Sequence, residues 1–171
     1  MRDVLEPAAE EPRDWLPEVT LAQLPEPLRA AAARAGWTGL MPVQARAIPY
    51  LLEGRDMMIQ ARTGSGKTGA FLLPMLQRLD AEQSYCQALV LVPTRELAKQ
   101  VWQQAEVICD RTGLRTAAVY GGVAYGPQIE VLRGGAQIVV GTPGRVLDHL
   151  LRGNLSLARL QMRVFDEADR M

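Results

Sequence analysis

Met57-Met-Ile-Gln-Ala-Arg-Thr-Gly-Ser-Gly-Lys-Thr68 reads as an apolar strand, a glycine-rich turn and the start of a helix. Gly64 and Gly66 permit a tight turn, so that successive backbone N–H groups converge on phosphate oxygens. The helix that follows adds the partial positive charge of its N-terminus. In such a phosphate loop (P-loop) Lys67 reaches the β- and γ-phosphates, and the Thr68 hydroxyl is placed to ligate Mg2+. The general pattern begins with glycine, whereas this chain has Ala61. Residues 61–68 (Ala61, Arg62, Thr63, Gly64, Ser65, Gly66, Lys67 and Thr68) are therefore candidates for holding a nucleotide.

On either side of it, the chain alternates short apolar runs with longer helical stretches. Strands are expected at Met57–Gln60, Ala88–Val92, Thr116–Tyr120, Ile138–Val140 and Met162–Phe165. Helices are expected over about 67–79, 96–110, 127–133 and 144–151, with Leu97, Val101 and Ile108 on one core-facing stripe. The strands lack polar alternation, as strands covered on both faces do. Repeated strand–helix units imply a parallel sheet with right-handed crossovers, an α/β fold with helices on both faces. Upstream, a helix from about Leu24 ends at Gly36, and a second runs from Pro42 to Leu52 and stops at Gly54. In open sheets of this kind ligands gather at the carboxyl ends of the strands. That edge collects 61–68, 93–95, 121–122, 142–145 and 166–169, the chemically unusual segments of the sequence.

The chain has 171 residues, enough for one domain of ordinary size. Apolar residues are 48% and charged residues 22%, a globular composition. No apolar run reaches the ~18 residues of a membrane span, and no signal segment opens the chain, so a soluble cytoplasmic domain is expected. Cys86, Cys109 and His149 are too few for a disulfide scaffold or a structural metal, and are assigned to packing or surface. Formal net charge is zero, but residues 1–18 hold six acids against Arg2 and Arg13. The Pro- and acid-rich segment 1–18 is expected to be a flexible tail. The other 153 residues then carry a net of +4. A binder relying on bulk attraction to phosphate is usually more basic, so any nucleic acid must be held by local geometry.

Gln161-Met-Arg-Val-Phe165 leads into Asp166-Glu-Ala-Asp169. An acid at the end of a buried strand near a phosphate loop is placed to hold Mg2+ (Asp166), and its neighbour to orient an attacking water (Glu167). Asp166-Glu-Ala-Asp169, Ala61-Arg-Thr-Gly-Ser-Gly-Lys-Thr68, Pro93-Thr-Arg-Glu-Leu-Ala98 and Thr142-Pro-Gly-Arg145 occur in one order, and together resemble the DEAD-box family of ATP-dependent RNA helicases. The similarity runs from about Val19 to Met171, through the first RecA-like domain, and Ala61 is the form that family carries. The resemblance divides residues 19–171 into an adenine-recognition element, 19–44, and an ATP-binding core, 55–171.

Within it, Gly36-Trp-Thr-Gly-Leu-Met-Pro-Val-Gln44 is similar to the adenine-recognition element. Gln44 offers a donor and an acceptor for adenine N6 and N7. Trp37 is read as stacking on the base, or alternatively as a core anchor at a helix end. Leu40, Met41 and Val19 depart from the family's usual residues there. The resemblance implies RNA-backbone contacts at Pro93, Thr94, Arg95, Gly121, Gly122, Thr142, Pro143, Gly144 and Arg145, with Arg95 equally readable as a structural ion pair. Contacts of this type carry no base code, so sequence-independent binding of single-stranded RNA is expected, with 2′-hydroxyls as the basis for choosing RNA. Tyr120 and Tyr125, flanking the double glycine, are read as packing rather than base-stacking. Asp169 belongs to the coupling between the acidic motif and strand separation.

Family members continue beyond this point with a Ser-Ala-Thr motif and a second RecA-like domain that supplies arginines to the transferred phosphoryl group. A chain ending at Met171 is expected to bind ATP and Mg2+ but to turn over ATP negligibly, even with RNA, because removing such arginines costs ~10³–10⁵ in rate. It is also expected to self-associate through an unpaired sheet edge. Two alternatives stand beside the helicase reading: a non-catalytic nucleotide-binding RNA module, and a DNA translocase built on the same engine.

Overall fold

Four short apolar runs become strands, and their pairing fixes everything else. In the computed structural model, which describes residues 15–171, these are β1 (Ala88–Leu91), β2 (Thr116–Val119), β3 (Ile138–Gly141) and β4 (Met162–Phe165). They form one parallel sheet in the order β2-β3-β1-β4. Six helices accompany them: α1 (Glu26–Arg34), α2 (Pro42–Leu52), α3 (Lys67–Arg78), α4 (Arg95–Cys109), α5 (Tyr125–Arg133) and α6 (Pro143–Leu151). Short 3-10 turns, Leu21–Gln23 and Ala168–Arg170, were not expected from the sequence. Residues 1–14 of the expected tail lie outside the described residues.

Successive strand side chains point to opposite faces, and the packing divides accordingly. Ala88, Val90, Ile138 and Val140 enter one core with Leu28, Leu72, Val101 and Ile108 of α1, α3 and α4. Leu89, Val139, Ala117 and Val119 enter a second core with Val146 of α6 and with Leu155. Each such Val, Leu or Ile side chain, removed from water, contributes ~1.5–3 kcal/mol. Two cores on two faces make the sandwich that unalternating strands imply.

Helix boundaries follow the local chemistry. Gly36 and Gly54 take positive φ of 76° and 80° just past α1 and α2, the conformation that ends a helix at little cost to glycine. Thr94 caps α4, its hydroxyl accepting from the Leu97 N–H at 3.2 Å. Val101 and Ile108 are buried and Leu97 sits half-buried at the rim of the same core. In α3 the run Gly69 to Met75 is buried without a break, as expected of a helix wrapped by neighbours on all sides.

One expected strand does not form. Met57–Gln60 pairs with no strand, and Met58 is 98% exposed. A strand exists only through its ladder, and this segment makes none with any of the four strands. For the same reason β4, paired on one side only, alternates half-buried and exposed residues instead of being covered on both faces, with Phe165 57% exposed.

The strands finish flush. Leu91 is level with Gly141 on one side and Phe165 on the other, and Val119 is level with Gly141. At the opposite edge the fully buried Gln87 and Gln137 seal the sheet. Gln87 accepts from the Asp80 N–H at 2.9 Å and donates to the Asp80 carbonyl at 2.7 Å. Gln137 accepts from the Arg115 N–H at 2.8 Å and donates to the Ala81 carbonyl at 3.0 Å. These amides satisfy backbone groups that would otherwise be buried unpaired.

Candidate functional site

The loop that leaves the flush edge after β4 meets the turn before α3. The turn before α3 carries Gly64 at φ 79° and Gly66 at φ 91°, conformations that disfavour any side chain. The acidic motif follows β4, its first backbone N–H (Asp166) still bonded to the Leu91 carbonyl at 3.0 Å. Between them lies a hollow of about 280 Å³ lined by Arg62, Thr63, Gly64, Gly66, Lys67, Thr68, Asp166 and Glu167, with Met41, Leu97, Gln100 and Gln104 completing the wall. The phosphate loop and the acidic motif, over ninety residues apart in sequence, thus face one space. Gln100 and Gln104 are additions from α4. Their spacing of four from each other, and of three from Leu97, is the signal that puts them on one face.

The charges in this space are complementary. Burial pushes the Asp166 carboxyl above its ordinary range, Lys67 opposes that shift and Glu167 adds to it. The Lys67 ammonium donates to the Ala61 carbonyl of its own loop. The Ser65 hydroxyl is buried within the loop without a hydrogen-bond partner. Glu167 adopts a left-handed conformation, φ 52°, and its carboxylate pairs with Arg170 at 2.7 Å. Arg170, exposed and one residue past the acidic motif, gave no signal in the sequence. Asp169 is exposed on the Ala168–Arg170 turn and does not line the hollow.

Gln44 and Trp37 pack against this loop and the first turn of α3 rather than lining the hollow. Gln44, buried at the start of α2, accepts from the Met41 N–H at 2.9 Å and donates to the Gly66 carbonyl at 3.1 Å. The Trp37 ring lies so close to α3 that a Cβ on Gly69 would sit 2.3 Å from it. Gly69, an apparently idle glycine in a helix, is therefore required by the tryptophan.

A second cluster occupies the rest of the edge, where β1, β2 and β3 end. An Arg95 Nη lies 2.8 Å from where a Cβ on Gly122 would stand, and Gly122 holds a positive φ of 78°, a conformation that favours glycine. Arg95 also pairs with Glu96 at 3.2 Å in an exposed bridge, an interaction worth little by itself. Arg145 donates to the Val123 carbonyl at 3.1 Å, joining the loop after β3 to the double glycine. Pro93 and Thr142 are half-buried, and Thr94, Pro143 and Gly144 are exposed at the starts of α4 and α6.

Beneath this cluster, Tyr125 donates to Asp148 at 2.6 Å, and this bond, reinforced by burial, raises its phenol pKa. Gln128 donates to the Tyr120 carbonyl at 3.0 Å, which turns its amide oxygen toward His149 Nε2 at 3.2 Å. His149 is fully buried with Nδ1 unpartnered. Burial and the nearby Arg145 hold it below the ordinary imidazole range. Tyr120 packs on the core. Cys86 and Cys109 are buried free thiols pushed up to about 12, mainly by burial.

Comparison with known proteins agrees with this geometry. A family model described as DEAD/DEAH box helicase matches residues 41–171. The ATP-dependent RNA helicase DeaD of Escherichia coli (strain K12) is 51% identical over 160 residues, covering 90% of this chain and 25% of that protein. Its namesake in Haemophilus influenzae is 47% identical over 149 residues, 86% of this chain and 24% of that protein. The chain thus spans about a quarter of the length of these relatives. Among solved structures, a DEAD box protein from Methanococcus jannaschii superimposes with a TM-score of 0.80 at 40% identity, over 87% of this chain and 41% of that one. A hypothetical ATP-dependent RNA helicase from Sulfolobus tokodaii gives 0.77 at 37% identity, over 85% and 42%. Matched over most of its length by the family model, and carrying that family's phosphate loop and acidic motif around one hollow, the chain belongs to the DEAD/DEAH box helicases.

Proposed function

We propose that residues 19–171 form the nucleotide-binding RecA-like unit of a cytoplasmic ATP-dependent RNA helicase. It takes ATP with Mg2+ in the hollow between the phosphate loop and the acidic motif. It grips the backbone of single-stranded RNA along the ends of β1, β2 and β3, and the whole enzyme couples ATP hydrolysis to remodelling of short duplexes. The observation that carries this reading is that Lys67 and Asp166 face one polar hollow at the carboxyl edge of a parallel sheet.

The residues fit the groups they would hold. Lys67 and the N–H groups of 63–68 answer phosphate oxygens, and the orphaned Ser65 hydroxyl gains a partner when a phosphate enters the loop. Thr68 and Asp166 supply the hard oxygen donors that Mg2+ prefers, and the ion would neutralise charge on the phosphate oxygens. Glu167, once it shares or releases Arg170, would accept a hydrogen bond from the attacking water and so orient and polarise it. Gln44 uses one amide hydrogen on Gly66 and one lone pair on Met41. The second hydrogen and lone pair of an amide suffice for a purine edge, and Trp37 beside it supplies an aromatic face. Arg95, Gly122 and Arg145 make the second cluster a track for a sugar-phosphate backbone.

The test is titration with a fluorescent ATP analogue in Mg2+. Lys67→Ala is expected to weaken binding at least ~10-fold, the scale of losing a charge-assisted contact to phosphate. Equal affinity would overturn the reading. The open flank of β4, with Phe165 exposed, further supports self-association of this chain.

A further inference from the structure

Arg145, Asp148 and Arg152 are spaced by three and four residues, one stripe of a helix. The stripe meets a single aromatic ring. The Arg145 Cζ lies 4.0 Å and the Arg152 Cζ 4.6 Å from the centroid of Tyr125. The ring cannot drift, because its hydroxyl donates to Asp148 at 2.6 Å and its edge packs on buried His149, with ring centroids 5.4 Å apart. Among the described residues neither guanidinium has a carboxylate within ion-pair distance, whereas Arg55, Arg95, Arg111 and Arg170 each have one. The one nearby acid, Asp148, is engaged by the phenol.

We propose that Tyr125 is a platform that presents Arg145 and Arg152 together as a two-guanidinium clasp for the phosphodiester backbone of single-stranded RNA, with Arg152 as a further RNA-binding residue. The proposal rests on the reading that the strand passes Thr142-Pro-Gly-Arg145. Two like charges repel, and an aromatic face offsets only part of that repulsion. A phosphate entering between them neutralises both, and each guanidinium offers it paired N–H donors in a rigid plane. The platform removes rotamer freedom before binding, so less is lost when the phosphate arrives. Arg145 is half-buried and anchored to Val123, while Arg152 is exposed at the last turn of α6. The clasp therefore extends the backbone track from the double glycine along the outside of α6. Tyr125 is a positioning residue; it acts through the two arginines.

The experiment is fluorescence anisotropy of a labelled oligouridylate with this chain across a NaCl series. Arg145→Gln and Arg152→Gln are each expected to weaken binding roughly three- to tenfold. Each should also flatten the plot of log affinity against log salt by about 0.7, the increment for one phosphate contact on a single strand. Tyr125→Leu removes no charge, yet should weaken binding as Arg152→Gln does, and should add little to it in the double variant. Tyr125→Phe keeps the ring and should rescue most of the loss. Wild-type binding and salt slope in both Arg152→Gln and Tyr125→Leu, with Arg145→Gln impaired, overturns the clasp and leaves the backbone track standing. Wild-type binding in Arg145→Gln as well removes the track itself.

Discussion

Gly69 shows how much one missing side chain determines. In the first turn of α3 alanine would favour the helix by ~1 kcal/mol, so the glycine looks like a weakness. Its Cβ, however, would lie 2.3 Å from Trp37 and 2.7 Å from the Gln44 amide. Gly69→Ala is therefore expected to destabilise the domain by ~1–3 kcal/mol, the usual penalty of overpacking, and to weaken nucleotide binding through displacement of Gln44. Thermal unfolding checks the first effect, and adding Trp37→Ala should recover part of it. Gln44 and Trp37 were legible in the sequence as residue types, because a glutamine and an aromatic near a phosphate loop suit a purine. Their packing on Gly66 and Gly69 was not legible. It depends on two chain segments approaching to van der Waals distance, which no local pattern encodes.

Between α5 and α6 a small polar network is closed at every point but one. Neutral His149 donates from Nε2 to Gln128, which leaves Nδ1 as an unpartnered buried acceptor. Protonation would put a charge there, facing Arg145 and Arg152 of its own helix, with only Asp148 opposing and Tyr125 of α5 already committed to that acid. The folded imidazole pKa is thus lowered relative to the unfolded chain. The unfolded state binds the proton first, so stability is intact above about pH 6.5, the free imidazole value, and falls as pH drops below it. His149→Gln is expected to reduce the loss of melting temperature between pH 7.5 and 5.5, whatever its effect at neutral pH. An unchanged difference would show that other groups set the acid limb. The helices and strands here were readable because period and capping residues are local. The glutamine seal of Gln87 and Gln137 was not, since a polar residue before a strand carries no mark of the distant carbonyls it will satisfy.

At the scale of the molecule, the sandwich and the convergence of motifs on one edge followed from strand–helix alternation alone. At two places pairing, rather than hydrophobicity, decides the outcome. Met57–Gln60 is apolar enough for a strand and is not one, and β4 has an uncovered flank. The flank of β4 that pairs with no strand, together with exposed Phe165, favours intermolecular pairing. Sedimentation velocity is expected to show concentration-dependent association in the micromolar range, and Phe165→Lys to shift the chain toward monomer. A monomeric wild-type profile across that range would refute it.

The level finish of the four strands has a mechanical meaning. Leu91, Val119, Gly141 and Phe165 form a common datum from which the loops carrying 93–95, 121–122, 142–145 and the acidic motif depart. The sheet therefore serves as a ruler for the chemistry above it. Slipping one strand by a single residue would raise or lower its loop by ~3.3 Å and turn its side chains to the wrong face. The proposed nucleotide hollow and backbone track draw on all four strand ends and would tolerate no such step, so the calibration of this edge resides in hydrocarbon packing outside both.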